Sequence, residues 1–132
     1  MEALKIEADR LNSMKRFQVH LDANLCKNLT KDEELMVFRI FQEITQNTLK
    51  YSKAQNFYVN LKENEEYFEF TTSDDGIGFD VKSMLDSKKA NGLNNIIKRA
   101  NLANLTCDID SNPNKGTTIT LKRNLQTQSQ PL

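Results

Sequence analysis

Three side chains that could take part in chemistry share one stripe of a predicted helix: Glu43, Asn47 and Lys50. At about 100° per residue, these positions fall within ~60° of one another. A carboxylate can act as a general base, an amide oxygen can bind a divalent cation, and an ammonium group can face an anion. A solvated helix face, with charges at the usual i+3 and i+4 spacing, is the alternative interpretation.

The rest of this helix indicates that the stripe lies beside a core. Its adjoining side has apolar or small residues at helical spacing, namely Val37, Ile40, Phe41, Ile44 and Thr48. Thr30 and Glu33 resemble a capping box, so we expect the helix to begin there and to run to about Lys53. A polar stripe at the edge of a core can line a cleft.

Three segments with glycine follow this helix, at residues 74–78, 91–93 and 115–118. The first comes directly after a predicted strand, and ligand-binding loops commonly lie at strand ends. Gly76 and Gly78 there can let the backbone approach a ligand closely, although a lone Gly-x-Gly also occurs in simple turns. Gly92 begins a predicted helix, whose free N-terminal amides could hold phosphate.

Taken together, four segments in this order resemble the signature boxes of the histidine-kinase-like ATPases, which include sensor histidine kinases, gyrase, Hsp90 and MutL. They are the N box (43–51), the Asp-x-Gly-x-Gly box (74–78), the second glycine box (90–99) and a terminal Gly-Thr pair, Gly116 and Thr117. The resemblance covers residues 31–123 and is to the ATP-binding domain of two-component sensor histidine kinases. It implies ATP and Mg²⁺ as cofactors.

The resemblance implies a role for each matched side chain of the N box. Asn47 is similar to the family's Mg²⁺ ligand, and Glu43 is similar to the carboxylate that polarises the attacking group. Lys50 or Arg39 could face the phosphates as point charges. The family frequently has histidine where this chain has Tyr51, which leaves Tyr51 without an assigned role.

The other boxes are matched to the nucleotide base. Asp74 is similar to the aspartate that accepts the adenine amino group, which would select adenine because guanine has a carbonyl at that position. By the same resemblance, Gly76 and Gly78 would flank the base, and Thr117 would lie near it.

The second glycine box keeps Gly92 and Leu93 but has Ala90 in place of the family's first glycine. Residues 80–89 have few apolar side chains and resemble a short, mobile ATP lid. We expect Ala90 to stiffen the hinge of this lid slightly.

Periodicity along the chain predicts an α+β fold, in which about three helices pack on one face of a mixed sheet of about five strands. Helices are predicted over 2–13, 30–53 and 92–103, and strands over 16–22, 57–62, 67–72, 106–111 and 118–122. The resemblance gives this two-layer sandwich the name Bergerat fold. His20 is predicted to lie on a strand, with its side chain pointing away from the core. It therefore does not resemble the family's phosphorylated histidine, which lies on a helix of a separate dimerisation domain.

Length and composition set further expectations. With 132 residues, the chain should form one domain over 1–123, followed by a disordered tail over 124–132. Its 18 basic and 18 acidic residues cancel, so nucleic acid is not an expected partner. Cys26 and Cys107 are expected to be buried, reduced thiols. No signal peptide or long apolar run is present, so we expect a cytoplasmic chain or the cytoplasmic part of a membrane sensor.

The sequence thus predicts a catalytic domain that binds Mg-ATP and donates the γ-phosphate to a histidine. That histidine would belong to a dimerisation domain of the parent protein, which would pass the phosphate to a response regulator. A serine kinase of the anti-sigma type and a stand-alone ATPase are alternatives with the same fold, and a non-catalytic binding module is a third. Glu43 beside Asn47 argues against the module, because a protein that only binds could lose the carboxylate. P-loop and Rossmann motifs are absent from the sequence.

Overall fold

A computed structural model describes residues 2–15, 17–23, 29–87 and 91–124 of the chain. The helices are α1 (Glu2–Ser13), α2 (Lys31–Asn47), α3 (Val81–Leu85) and α4 (Asn91–Leu102), and a π-helical turn, Thr48–Ser52, continues α2. The strands are β1 (Gln18–Ala23), β2 (Asn56–Glu63), β3 (Tyr67–Asp74), β4 (Thr106–Ser111) and β5 (Thr117–Asn124). None of these helices is long and apolar enough to cross a bilayer.

The five strands form one mixed sheet in the order β1-β2-β3-β5-β4. Strand β1 pairs with β2 in parallel, and the other three pairs are antiparallel. Helix α2 connects the parallel pair, while short turns can connect the antiparallel pairs β2-β3 and β4-β5. This sheet and its helices confirm the predicted α+β class, and Asn124, the last residue of β5, extends the fold one residue into the predicted tail.

One face of the sheet is buried against the helices, because apolar residues alternate along its central strands. The buried apolar side chains of β2 and β3 are Phe57, Val59, Leu61, Phe68 and Phe70. Phe41 of α2 packs against this face, with its ring centre 6.3 Å from that of Phe57 and 6.1 Å from that of Phe70. Helix α2 and the sheet therefore pack against each other through one aromatic cluster, as the predicted two-layer fold requires.

Helix α2 begins at the predicted capping box. The Thr30 hydroxyl accepts a hydrogen bond from the Glu33 amide (3.1 Å), and the Glu33 carboxylate accepts one from the Thr30 amide (2.8 Å). Glu33 also forms an ion pair with Arg123 of β5, whose side chain is buried. Burial by itself would raise the pKa of Glu33, but the hydrogen bonds from Arg123 and Thr30 together lower it.

The end of α2 differs from the prediction, which extended a regular helix to about Lys53. The last turn is π-helical, and Lys53 closes it with a left-handed conformation at φ 55°. The Thr48 hydroxyl donates to the Ile44 carbonyl (3.0 Å), and the Ser52 hydroxyl donates to the Thr48 carbonyl (2.8 Å). A π turn advances by a smaller angle per residue than an α turn, so the predicted position of Lys50 relative to Asn47 does not hold.

The predicted lid contains a short helix that the sequence reasoning missed. Asp80 caps α3, because its carboxylate accepts hydrogen bonds from the amides of Lys82 (3.1 Å) and Ser83 (3.4 Å). Met84 and Leu85 are half-buried and pack against the core. The lid therefore has more apolar contact with the domain than its composition suggested, while Ala90 lies outside the described residues.

Three smaller predictions can be located in this structure. His20 lies on the exposed face of β1, as predicted, where it stacks on Tyr58 and contacts Asn56 Oδ1 at 3.0 Å. Cys107 is a free, half-buried thiol, and burial raises its pKa to about 11. Cys26 and residues 125–132 lie outside the described part of the chain.

We predict that Glu33→Gln lowers the free energy of unfolding by about 1–3 kcal/mol at pH 7, because it leaves the Arg123 charge buried without its counter-ion. The folded state keeps Glu33 ionised to a lower pH than the unfolded chain does. The contribution is therefore complete above the ordinary pKa of 4.5 and is lost as the pH falls through the lower, folded-state value. Urea denaturation of both proteins at several pH values measures the difference.

Glu34→Gln is the matched control for this prediction. It removes a carboxylate from the same first turn of α2 and should cost only a few tenths of a kcal/mol. Equal losses for the two variants would mean that the ion pair with Arg123 contributes nothing of its own.

Candidate functional site

A cavity of about 220 Å³ lies between α2 with its π turn, the inner face of β3 and β5, and the first turns of α3 and α4. Its lining residues are Ile44, Asn47, Thr48, Ser52, Thr72, Asp74, Ile77, Gly78, Phe79, Met84, Leu93, Thr117 and Ile119. Drug-sized ligands occupy cavities of about 300–1,000 Å³. This smaller and mainly apolar space suits one ring system, so the remainder of a larger ligand would lie at the mouth.

Asp74 is the single carboxylate among the described residues that line the cavity. It ends β3 with its side chain buried, and its Oδ1 accepts a hydrogen bond from the Gly76 amide at 2.9 Å. Burial raises the pKa of Asp74, although the Gly76 hydrogen bond opposes this effect. An ionised carboxylate can only accept hydrogen bonds, so the cavity wall favours a ligand with a donor such as an amino group.

The neighbouring Asp75 has a structural role instead. Its Oδ1 accepts hydrogen bonds from the amides of Gln55 (2.8 Å) and Asn56 (2.9 Å), and its Oδ2 accepts one from Asn56 Nδ2 (2.9 Å). These bonds lower the pKa of Asp75. Because they tie the loop after β3 to the start of β2, they hold Asp74 in place at the strand end.

The first glycine segment packs against the π turn and the β4-β5 turn. A Cβ atom on Gly76 would lie 2.2 Å from the carbonyl oxygen of Ser52, and that oxygen accepts a hydrogen bond from the Ile77 amide at 2.7 Å. Gly78, at φ 63°, lines the cavity and approaches the Asn112 carbonyl in the same way. The structure therefore brings Gly78 to the cavity wall, whereas Gly76 lies behind it and secures the loop.

The second glycine segment packs against the N box at Gly92. A Cβ atom on Gly92 would lie 2.3 Å from Asn47 Oδ1, so the first turn of α4 packs directly on that amide. The Asn47 side chain makes no hydrogen bond to any residue that the structure describes, which leaves its oxygen for a ligand or an ion. Leu93 is buried beside it and lines the cavity.

Thr117 of β5 is paired with Asp74 of the neighbouring strand β3. Its hydroxyl is 2.8 Å from Ser111 Oγ, and Ser111 Oγ donates its one proton to the Gly116 carbonyl at 3.0 Å. Thr117 must therefore donate to Ser111, and its hydroxyl can only accept from a ligand. Ser111 also accepts from the Phe79 amide at 2.9 Å.

Two of the three residues in the predicted polar stripe do not line this cavity. Glu43 lines a second, polar depression of about 380 Å³, together with Arg39, Arg99 and residues of α1. Lys50 is exposed on the π turn and lines neither depression. Glu43 precedes Asn47 by one helical turn, which is about 6 Å along the axis, so the two depressions lie close together on the same helix.

Several lining residues were not identified as site residues from the sequence. Ser52 and Met84 had no distinguishing signal, because the π turn and α3 were not predicted. Thr48 was assigned to the core-facing side of the helix, which is correct, and Thr72 to a predicted strand, but periodicity cannot show which core positions border a cavity. Ser111 could have been found only from its contacts with Thr117 and Phe79.

Comparison with known proteins gives an independent line of observation. The profile of the family described as "Histidine kinase-, DNA gyrase B-, and HSP90-like ATPase" matches residues 32–127. An uncharacterized sensor-like histidine kinase of Chloroflexus aurantiacus is 39% identical over 89 residues, which are 64% of this chain and 15% of that protein. The oxygen sensor histidine kinase NreB of Staphylococcus carnosus is 33% identical over 113 residues, 82% of this chain and 32% of that protein. The chain thus spans less than a third of these relatives.

Solved structures show the same fold. The blue-light activated histidine kinase of Erythrobacter litoralis superposes with a TM-score of 0.76 at 15% identity, over 95% of this chain and 41% of that chain. The mycobacterial sensor histidine kinase MprB gives a TM-score of 0.71 at 13% identity, over 93% of this chain and 92% of that chain. The sequence boxes, the cavity they surround and these comparisons agree, and the chain belongs to the histidine kinase-, DNA gyrase B- and HSP90-like ATPase family.

Proposed function

We propose that this chain binds Mg-ATP and donates the γ-phosphate to a histidine on a dimerisation domain of its parent protein. The observation that carries the proposal is the placement of Asp74 and Asn47 on one small, apolar cavity. Asp74 would receive the adenine amino group inside the cavity. Asn47 would face the phosphates, because the first turn of α4 packs on its amide and presents free backbone amides there.

Asn47 is suited to be the one protein ligand of a Mg²⁺ ion. Mg²⁺ prefers oxygen ligands and usually keeps several waters, with phosphate oxygens completing its shell. Within the described ranges, no group of three or more histidine, cysteine, aspartate or glutamate side chains could hold a metal. An ion that enters with the nucleotide fits this donor set, and when bound it would neutralise the charge of the phosphates.

The cations near the phosphates are also part of the proposal. Lys50 is exposed on the turn that follows Asn47, where its long side chain can approach an anion at the cavity mouth. Arg39 precedes Asn47 by eight residues, about 12 Å along the helix axis. Lys50 is therefore the better placed of the two for a phosphate contact.

Glu43 would act on the acceptor rather than on the nucleotide. Its side chain lines the depression next to the cavity, one helical turn from the proposed Mg²⁺ ligand. A histidine that enters this depression would lie between the carboxylate and the γ-phosphate, where Glu43 could polarise it. His20 is not a suitable acceptor, because it stacks on Tyr58 on the exposed face of the sheet.

The partners follow from the relatives, which are named as sensor histidine kinases and are much longer than this chain. A histidine-bearing dimerisation domain would come from another segment of the parent protein, which would be dimeric, and a response regulator would receive the phosphate. Membrane anchoring of such a parent would leave this domain in the cytoplasm. No observation favours the serine kinase, the stand-alone ATPase or the non-catalytic module over this function.

The first test concerns the base. Asp74→Asn should weaken ADP binding by about 1–3 kcal/mol in calorimetry, because the amide must turn an acceptor toward the ligand and lose the hydrogen bond from Gly76. Wild-type protein should bind ADP more tightly than GDP. Asp108→Asn, an exposed change on β4, is the control and should leave the affinity unchanged. Equal affinity for ADP and GDP would remove Asp74 from the site.

The second test concerns α3. Residues 81–87 should exchange their amide hydrogens more slowly when ADP is bound, because Met84 lines the cavity and a ligand beneath it would hold the helix down. Hydrogen exchange with and without ADP measures this difference, and the amides of α1 serve as the unaffected reference. Protection of 81–87 that does not depend on ligand would contradict the assignment of this segment as a lid.

The third test separates binding from chemistry. Glu43→Gln should leave ADP affinity nearly unchanged, because Glu43 does not line the cavity, yet lower phosphoryl transfer by about 10²–10⁴-fold. Transfer is measured from labelled ATP to a separately supplied dimerisation domain of the parent protein. Glu34→Gln, a carboxylate change on the same helix, should keep full transfer. Normal transfer by Glu43→Gln would leave Glu43 as an ordinary residue of the helix face.

A further inference from the structure

Within the part of the chain that the structure describes, four hydroxyl side chains line the cavity, and three of them donate their protons to other groups of the protein. Thr48 donates to the Ile44 carbonyl at 3.0 Å, and Ser52 donates to the Thr48 carbonyl at 2.8 Å. Thr117 donates to Ser111, since the Ser111 proton is already given to the Gly116 carbonyl. Thr72 is the fourth, and its hydroxyl makes no hydrogen bond to any residue in the described part of the chain.

Thr72 is also one of the most deeply buried polar residues of the domain, with 2% of its surface exposed. It precedes Asp74 by two residues on β3, so both side chains project from the same face of the strand and both line the cavity. Among the described residues, the buried side-chain atom without a partner is Arg123 Nε, so the Thr72 hydroxyl is not sealed in the core but opens onto the cavity. The Thr72 hydroxyl is therefore free to bond with a ligand.

We propose that Thr72 is a second base-reading residue, whose hydroxyl donates a hydrogen bond to N1 of adenine, directly or through one ordered water. This inference rests on the proposed ATP-binding function. N1 is bonded to the same carbon as the exocyclic amine, so a base whose amine meets Asp74 presents N1 next to it. N1 of adenine is an acceptor, and it requires a donor from the protein.

The proton count selects Thr72 for this role. Thr117 can offer N1 only an acceptor, because its own proton is directed to Ser111. The amide of Asn47 is a donor as well, but it packs on Gly92 at the first turn of α4 and is assigned to the metal. Among the hydroxyls of the described cavity wall, only Thr72 has a proton to give.

Isosteric substitutions test this proposal by calorimetry with ADP. Thr72→Val removes the hydroxyl and keeps the shape, and it should weaken ADP binding about 3- to 10-fold, the usual effect of one neutral hydrogen bond. Thr72→Ser keeps the hydroxyl and should bind ADP within about twofold of wild type. Thr71→Val is the matched control on the opposite face of the same strand, and it should change affinity less than twofold because Thr71 does not line the cavity.

A ligand analogue identifies the atom that Thr72 contacts. With 1-deaza-ADP, in which a C–H group replaces N1, wild type and Thr72→Val should bind equally. A loss on Thr72→Val that is the same for ADP and 1-deaza-ADP would overturn the assignment to N1. Unfolding temperature without nucleotide is the second readout, and Thr72→Val should stay close to wild type, because the substitution breaks no hydrogen bond within the described part of the protein.

The outcomes separate the two proposals. If wild type binds ADP and Thr72→Val binds it with the same affinity, the role of Thr72 alone is overturned. Failure of wild type to bind ADP at all would overturn the proposed function together with this inference.

Discussion

The site depends on two glycines at which a later segment of the chain lies against the end of α2 or its π turn, with no room for a Cβ atom in the present arrangement. At Gly76 the loop after β3 rests on the Ser52 carbonyl, and at Gly92 the first turn of α4 rests on the Asn47 amide. Both contacts join the end of α2 to a segment that comes later in the chain. An alanine at Gly76 would push the loop away from the backbone of the π turn, whereas an alanine at Gly92 would displace the Asn47 side chain from its present position.

The π turn at the end of α2 takes part in the first of these contacts. The turn carries Thr48 and Ser52, whose hydroxyls bond back to carbonyls one turn earlier and are thereby kept from the ligand. The Ser52 carbonyl, in turn, is free of the helix and receives the Ile77 amide. A regular α-helix would have placed different atoms against the loop, so the local widening of the helix is part of how the cavity is closed on this side.

The sequence was sufficient for the class of fold and for the residues that end regular elements. The capping box at Thr30, the alternation that leads into Asp74 and the helix after Gly92 all reflect local rules of hydrogen bonding and periodicity, and the structure has each of them. The sequence did not predict which side chains border the cavity. Glu43, Asn47 and Lys50 share a stripe by angle, but only Asn47 lines the cavity, because the neighbouring segments cover the helix unevenly. Thr117 donates its hydroxyl proton to Ser111, whereas Thr72 has no such partner among the residues that the structure describes. No local rule predicts the contact between Thr117 and Ser111.

The division between the two depressions on α2 bears on how such a domain could be controlled. The apolar cavity is enclosed by this chain's own segments, so base binding would need no other protein. The depression around Glu43 is polar and open and is lined on one side by α1, so it can be filled by a partner side chain without disturbing the cavity. In the proposed function, nucleotide binding and phosphoryl transfer therefore use adjacent surfaces of one helix. Transfer would then be limited by how the parent protein presents its histidine to Glu43, and a domain already loaded with ATP could wait for that event.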